Sequence, residues 1–197
     1  MSVARIPKTK RWRAALCALI LLGLVGSPPL AAFTLSELVL DSKMTPKKFA
    51  GKFEDFEYEF SREIQPPSVF LSTKRGDCDD YATLADTVLR RKGFDTHLIQ
   101  IRLAGQVDHA VCYVTQSTAY LDYNNRAVFL TLARSGASIR EIATKVAASL
   151  NLNWTSAFEF TYDGDKKEVI ATVVKTEPPA SDPKLGQSAQ GSVKVGF

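Results

Sequence analysis

The stretch Gly76-Asp77-Cys78-Asp79-Asp80-Tyr81-Ala82 opens the best-supported helix of the chain, which the pattern predicts over 78–92. Apolar side chains recur along it at helical spacing, and Asp77 and Asp80 have the spacing of an N-cap and its capping box. The partial positive charge at a helix N-terminus lowers the pKa of a thiol, and the thiolate is the nucleophilic form. The motif therefore predicts both the principal helix and a candidate nucleophile, Cys78.

Two further residues, later in the chain, complete a candidate catalytic triad with Cys78. His109 begins one strand-like run and Asp122 lies in the next. A base that takes the thiol proton and a carboxylate that orients this base are the usual partners of an activated nucleophile. We expect Asp122 to be a cross-strand neighbour of His109 if the link between the strands spans 114–117. Asn124 is the alternative orienting residue.

The first 32 residues have the layout of a secretory signal peptide. A basic segment is followed by the apolar run 14–25, a Ser27-Pro28-Pro29 break and small residues suited to cleavage. The run is short for a membrane span. An uncleaved N-terminal anchor is the alternative. The basic residues of this leader account for the positive net charge of the chain, so nothing in the composition indicates nucleic-acid binding.

A disulfide is the structural alternative to catalysis, because Cys78 and Cys112 are the two cysteines beyond the leader. Side chains alternate along a strand, so His109 and Cys112 point to opposite faces. If His109 faces Cys78, Cys112 should face away from it. The bridge and the catalytic pair therefore exclude each other. The second histidine, His97, follows the far end of the helix and is expected to be structural.

The acidic flank of the cysteine has two interpretations. Asp77, Asp79 and Asp80 favour the helix N-terminus as caps, and their oxygens could instead bind calcium. Their charges oppose thiolate formation, so a histidine imidazolium has to outweigh them. For the oxyanion of a reaction intermediate, the backbone N–H of Cys78 is the expected donor. Gln65, in the preceding loop, is a weaker candidate for a side-chain donor.

The order of the elements predicts an α+β fold, with the helix that bears the cysteine packed on an antiparallel sheet. The predicted strands are 96–103, 109–115, 119–123, 128–132 and the hairpin pair 154–162 and 168–174, and a second helix covers 138–150. The aromatic run 53–60 is expected in the core, and 74–76 is expected to be a loop. We expect a single domain over 33–176 and a disordered tail over 177–197.

The residues of the site resemble a known family. The segments Gly76-Asp77-Cys78-Asp79-Asp80-Tyr81-Ala82, Asp108-His109-Ala110-Val111 and Tyr120-Leu121-Asp122 together resemble the transglutaminase-like superfamily, in particular its bacterial exported branch that is similar to cysteine proteinases. The resemblance covers roughly residues 66–125. It implies a papain-like core in which Cys78 is the nucleophile, His109 the general base and Asp122 the orienting residue. Members of the family include protein cross-linkers, amidases and periplasmic proteases, and some bind calcium beside the motif.

Together these features predict an exported thiol hydrolase, a cysteine peptidase or amidase that works through an acyl-enzyme. Its expected location is periplasmic or secreted, and its expected partner is a protein or peptide substrate in the cell envelope. No cofactor is expected, with calcium at the acidic flank as the exception. The alternatives are a protein-glutamine transglutaminase using the same site, a catalytically silent module that binds an envelope protein, and a disulfide-stabilised structural protein.

Overall fold

The computed structural model describes residues 33–125, 132–164 and 166–175. The predicted leader 1–32, the predicted tail 177–197 and nearly all of the predicted strand 128–132 lie outside these ranges. Within them, no helix is long and apolar enough to cross a membrane.

Five helices and eight strands make up this part of the chain. The helices are α1 (Leu35–Leu40), α2 (Pro46–Gly51), α3 (Pro67–Thr73), α4 (Cys78–Arg90) and α5 (Ile139–Ser149). The strands are β1 (Glu57–Tyr58), β2 (Arg75–Gly76), β3 (Thr96–Leu103), β4 (His109–Val114), β5 (Ala119–Leu121), β6 (Ala133–Arg134), β7 (Trp154–Asp163) and β8 (Lys166–Val174). Short 3₁₀ turns at Thr115–Ser117 and Tyr123–Asn125 follow β4 and β5.

Six of the strands form one antiparallel sheet in the order β6-β5-β4-β3-β7-β8. β1 and β2 form a separate parallel pair. Helices and an antiparallel sheet in this arrangement confirm the predicted α+β class. The sheet order also places β4, which begins with His109, between β5 on one side and β3 and β7 on the other.

The sheet is buried on both faces, because its strands alternate between two apolar clusters. Ala110, Cys112 and Val114 of β4 pack with α4 and the short N-terminal helices. Val111 and Tyr113 pack on the other face, among the apolar residues of α5. Burial on both faces fixes the register of β4, since a slip by one residue would exchange the two sets.

Helix α4 begins where the capping pattern predicts. The Asp77 carboxylate accepts hydrogen bonds from the backbone N–H groups of Asp79 and Asp80, and the Asp80 carboxylate accepts one from the N–H of Asp77. At the other end, Gly93 adopts a left-handed φ of 82°, which is unfavourable for residues with a Cβ. The capping box sets the position of Cys78 at the first turn.

The segment before α4 is more ordered than the sequence indicates. Residues 67–73 form α3, and the expected loop 74–76 contains β2, which pairs with β1. Phe53 and Phe56 are core residues as predicted, whereas Tyr58 and Phe60 are 46% and 57% exposed. Tyr58 lies in β1 and reaches the core only at its edge, where its ring is 6.2 Å from that of Tyr123, and Phe60 follows this strand.

Gly76 should be intolerant of a side chain. A Cβ there would lie 2.5 Å from Asp80 Oδ2 and 2.6 Å from the ring of Phe70, and hydrogen bonds hold that carboxylate in place. We expect Gly76→Ala to lower the free energy of unfolding by about 1–3 kcal/mol, as overpacking does. Urea denaturation measures this.

Gly51→Ala is the matched control, because its Cβ would meet only Glu54, at 3.8 Å. Equal stability of the two variants would contradict the close packing around Gly76.

Candidate active site

The structure brings His109 and Asp122 into direct contact. His109 Nε2 lies 3.0 Å from Asp122 Oδ1, and both residues are nearly inaccessible to solvent. The same carboxylate oxygen accepts the backbone N–H of Asn124 at 3.0 Å, which orients it. Asn124, the alternative orienting residue, therefore acts through its backbone on Asp122 and is itself exposed.

Cys78 contacts the same imidazole. Burial by itself would lower the pKa of His109, but hydrogen bonds to Asp122 and Cys78 and the negative charges of both raise this pKa to about 10. The imidazole is therefore protonated at neutral pH and lies between a thiol and a carboxylate. A histidine that contacts both a thiol and a carboxylate is the arrangement of an activated nucleophile and its base.

The contact between His109 and Asp122 is diagonal. The two strands pair through Cys112 with Leu121 and Val114 with Ala119. Continuing that register sets Asp122 opposite the residue two positions after His109, on the same face. Diagonal neighbours of this kind are within reach of long and aromatic side chains. The 3₁₀ turn at Thr115–Ser117 produces this register.

The expectation that Cys112 faces away from the cysteine-bearing helix is wrong. Cys112 is fully buried in the same apolar cluster as α4, and alternation gives His109 the parity of Val111, which packs on the α5 side. His109 reaches Cys78 because it is the first residue of β4 and contacts it at the end of the sheet. Both cysteines are nevertheless free, so no bridge is formed.

The carboxylates on either side of Cys78 mainly accept helix-capping hydrogen bonds. Asp77 accepts the N–H of Ser61 in addition to its two helix donors, and Asp80 accepts the N–H of Gln65. In the described ranges, no three His, Cys, Asp or Glu side chains are placed to hold a metal ion. Calcium at Asp77, Asp79 and Asp80 stays a prediction, and the oxygens of Asp77 and Asp80 also accept N–H groups here.

The side chain of Gln65 forms hydrogen bonds with the segment that contains the capping box. Its Nε2 donates to Asp80 Oδ2 at 3.1 Å and to the carbonyl of Arg75 at 3.2 Å. This side chain therefore braces the capping box. Its role as an oxyanion donor stays a prediction, and the geometry favours the bracing role.

Three residues that the sequence did not single out lie near the site. Burial and then the charge of Cys78 raise the pKa of Tyr58. Burial and then Asp79 raise the pKa of Tyr162 to about 12. Burial lowers the pKa of Lys167, against the opposing charges of Asp79 and Cys78. No local sequence pattern marks Tyr162 and Lys167, because the order of strands in the six-stranded sheet brings them here.

These residues flank the site from two sides. The ring of Tyr58 lies 6.2 Å from that of Tyr123, which follows β5. Tyr162 and Lys167 belong to the hairpin of β7 and β8, and β4 lies between β5 and this hairpin in the sheet. Tyr58 and Lys167 both lie within electrostatic range of Cys78.

His97 belongs to a different cluster. Its Nδ1 lies 2.6 Å from Glu159 Oε1 and its Nε2 lies 3.4 Å from Asp95 Oδ2. The ring is about one third exposed, and burial is outweighed by these carboxylates, which raise its pKa. This position agrees with the structural role expected from the sequence.

Comparison with known proteins finds one family model that matches part of the chain. Residues 36–132 match the model described as "Transglutaminase-like domain". This range contains α4 and all three residues Cys78, His109 and Asp122. It ends before β6, α5, β7 and β8, three of which are strands of the six-stranded sheet.

Among solved structures, the chain is similar to LapG of Legionella pneumophila. Its calcium-bound form is 17% identical, with a TM-score of 0.41 over 63% of this chain and 71% of that chain. Its EGTA-treated form is 18% identical, with a TM-score of 0.41 over 63% and 69%. At this similarity the likeness says nothing about substrate or metal. No curated protein matches the chain in sequence.

The raised pKa of His109 can be measured directly, since the chain has two histidines. We expect the His109 ring signals in NMR to titrate near pH 10, and Cys78→Ala to lower that pKa by removing a hydrogen bond and a negative charge. His97 is the internal reference and should titrate unchanged in the variant. A His109 pKa at or below the ordinary 6.5 would contradict the ion pair.

The same shift determines how stability depends on pH. Because the pKa of His109 is higher in the folded state, its contribution to stability is fully present below about pH 6.5 and is lost as the pH rises through about 10. We expect the difference in unfolding free energy between wild type and Cys78→Ala to shrink over that window. Denaturant unfolding at several pH values measures it, and a difference that grows with pH would contradict this assignment.

Proposed function

We propose that this protein is a thiol hydrolase that cleaves amide or peptide bonds through Cys78, His109 and Asp122. The observation that carries the proposal is the buried imidazole of His109, which contacts the Cys78 thiol and the Asp122 carboxylate together. A buried charged group of this kind is expensive to desolvate, and a catalytic pair is the use that explains it best.

In the proposed reaction, the thiolate of Cys78 attacks the carbonyl carbon of the scissile amide. The imidazolium of His109 then gives its proton to the leaving amine, and an acyl-enzyme remains on Cys78. Next, His109 takes a proton from water, and the hydroxide attacks the thioester, which releases the acid and restores the thiol. Asp122 orients the ring and stabilises its charged form throughout.

The oxyanion of the intermediate has a donor in the first turn of α4. The capping bonds use the N–H groups of Asp79 and Asp80, so the N–H of Cys78 stays outside the cap. A helix N-terminus also favours negative charge. We assign the backbone N–H of Cys78 as the principal oxyanion donor.

The proposed substrate is a protein or peptide in the cell envelope, and the proposed location is periplasmic or secreted. This part of the proposal rests on the signal-peptide pattern of residues 1–32. Cleavage at that leader is tested by N-terminal sequencing of the protein recovered from its native host. An intact N-terminus on the mature protein would contradict export with cleavage.

Transfer of the acyl group to an amine is the second candidate, because water and amines attack the same thioester. The match of residues 36–132 to the model described as "Transglutaminase-like domain" supports this second candidate. Incubation with a glutamine-containing peptide and a labelled primary amine separates the two. Hydrolysis alone supports the hydrolase, whereas amine incorporation faster than hydrolysis supports the transferase.

The reactivity of Cys78 provides a direct test of the proposal. We expect iodoacetamide at pH 6 to alkylate Cys78 in the folded protein, because the imidazolium of His109 stabilises the thiolate. Cys112 is the internal control, since burial raises its pKa well above the ordinary value and it is fully buried. Mass spectrometry should find the adduct on Cys78 alone, with none in Cys78→Ser. Equal labelling of both cysteines would reject the proposed site.

The contribution of the orienting carboxylate can be isolated with a near-isosteric change. Asp122→Asn keeps the shape of the side chain and removes its charge, so it should lower the turnover of an amide substrate by roughly 10²–10⁴-fold. The amide substrate is first selected with the wild-type protein from a peptide library. Asp95→Asn, in the His97 cluster, is the control and should retain full activity. Comparable rates for the two variants would exclude Asp122 from the mechanism.

A further inference from the structure

Lys167 brings a positive charge to one side of the site. It lies on the edge strand β8, but its ammonium crosses β7 and donates a hydrogen bond to Oε1 of Gln100 on β3. On the way, Nζ lies 3.8 Å from the ring centroid of Phe160 and 5.5 Å from that of Phe158. Phe160 belongs to the cluster on the α4 face, so the ammonium lies on the same face of the sheet as the helix of Cys78.

A short polar chain connects this ammonium to the neighbour of the catalytic histidine. The Nε2 of Gln100 donates to Asp108 Oδ2 at 2.8 Å, and Asp108 directly precedes His109. The charges of Asp79, Asp108 and Cys78 all act on Lys167. Its position is therefore set by contacts on both sides and lies within electrostatic range of the nucleophile.

The ammonium of Lys167 can donate further hydrogen bonds. Among the residues that the structure describes, its hydrogen bond goes to the neutral amide of Gln100, and it forms no ion pair. Asp108 is engaged elsewhere, with Gln100 and with Arg102 at 3.8 Å. A half-buried ammonium without a paired carboxylate gains most from an added anionic partner.

We propose that Lys167 is a specificity-determining residue that binds an acidic side chain of the peptide substrate, close to the bond that Cys78 attacks. This inference rests on the proposed thiol chemistry of Cys78. The hairpin that carries Lys167 lies outside the matched domain range 36–132, so the selectivity belongs to the part of the sheet that this chain adds to the domain.

The test compares two alkylating reagents that differ in charge. Iodoacetate and iodoacetamide have the same leaving group and nearly the same size, so the ratio of their rates at Cys78 reports local charge and cancels changes in thiolate reactivity. We expect Lys167→Met to lower the iodoacetate-to-iodoacetamide ratio by about tenfold, and Lys167→Glu to lower it further. Lys166→Met is the matched control, because Lys166 is highly exposed and pairs with Glu168.

A second measurement uses peptidyl acyloxymethyl ketones that carry Asp or Asn beside the reactive group. Wild type should react faster with the Asp probe, and Lys167→Met should lose this preference while Lys166→Met keeps it. An unchanged reagent ratio in Lys167→Met, or a wild-type preference for a Lys-containing probe, would overturn the assignment while leaving the thiol chemistry intact. Inertness of Cys78 to the neutral reagent would instead overturn the proposed function.

Discussion

The reciprocal hydrogen bonds between Asp77 and Asp80 are the constraint on which the site depends. They close the N-terminus of α4 and set the direction of its first turn, and Cys78 lies between them. Their remaining oxygens accept the backbone N–H groups of Ser61 and Gln65, so the segment before the motif is tied to the same box. The nucleophile is therefore held by a network of charge-assisted bonds that is largely withdrawn from solvent.

This network also explains how acidic residues can surround a thiolate. When a carboxylate accepts several N–H groups, the N–H dipoles partly compensate its negative charge. Its repulsion of a neighbouring anion is therefore weaker. Asp77 and Asp80 accept N–H groups in this way. Burial raises the pKa of both Asp79 and Asp80.

Features that depend on neighbouring residues could be predicted from the sequence. The capping pair Asp77 and Asp80, the end of α4 near Gly93, and the turn at Asp163-Gly164 all follow from local backbone preferences. The order of Cys78, His109 and Asp122 along the chain also led to the three side chains that the structure brings together. Each of these inferences needed only spacing, charge and residue type.

Features that depend on sheet order could not be predicted in the same way. Alternation separates Cys112 from Val111 and Tyr113, but which face packs against α4 is decided by the whole core, and Cys112 packs on the α4 side. The 3₁₀ turn at Thr115–Ser117 set a diagonal contact instead of a direct one. The sequence of its own hairpin does not mark Lys167, because part of its surroundings comes from β3 and from the first turn of α4.

The position of His109 at the end of the sheet reconciles apolar packing of β4 with a charged catalytic side chain. A charged imidazole in the middle of β4 would displace apolar contacts on one of two buried faces and would be closed to substrate. As the first residue of the strand, His109 contacts Cys78 and Asp122 at the end of the sheet while the rest of β4 keeps its apolar contacts on both faces. The position at the strand end therefore allows a buried charged pair without breaking the core.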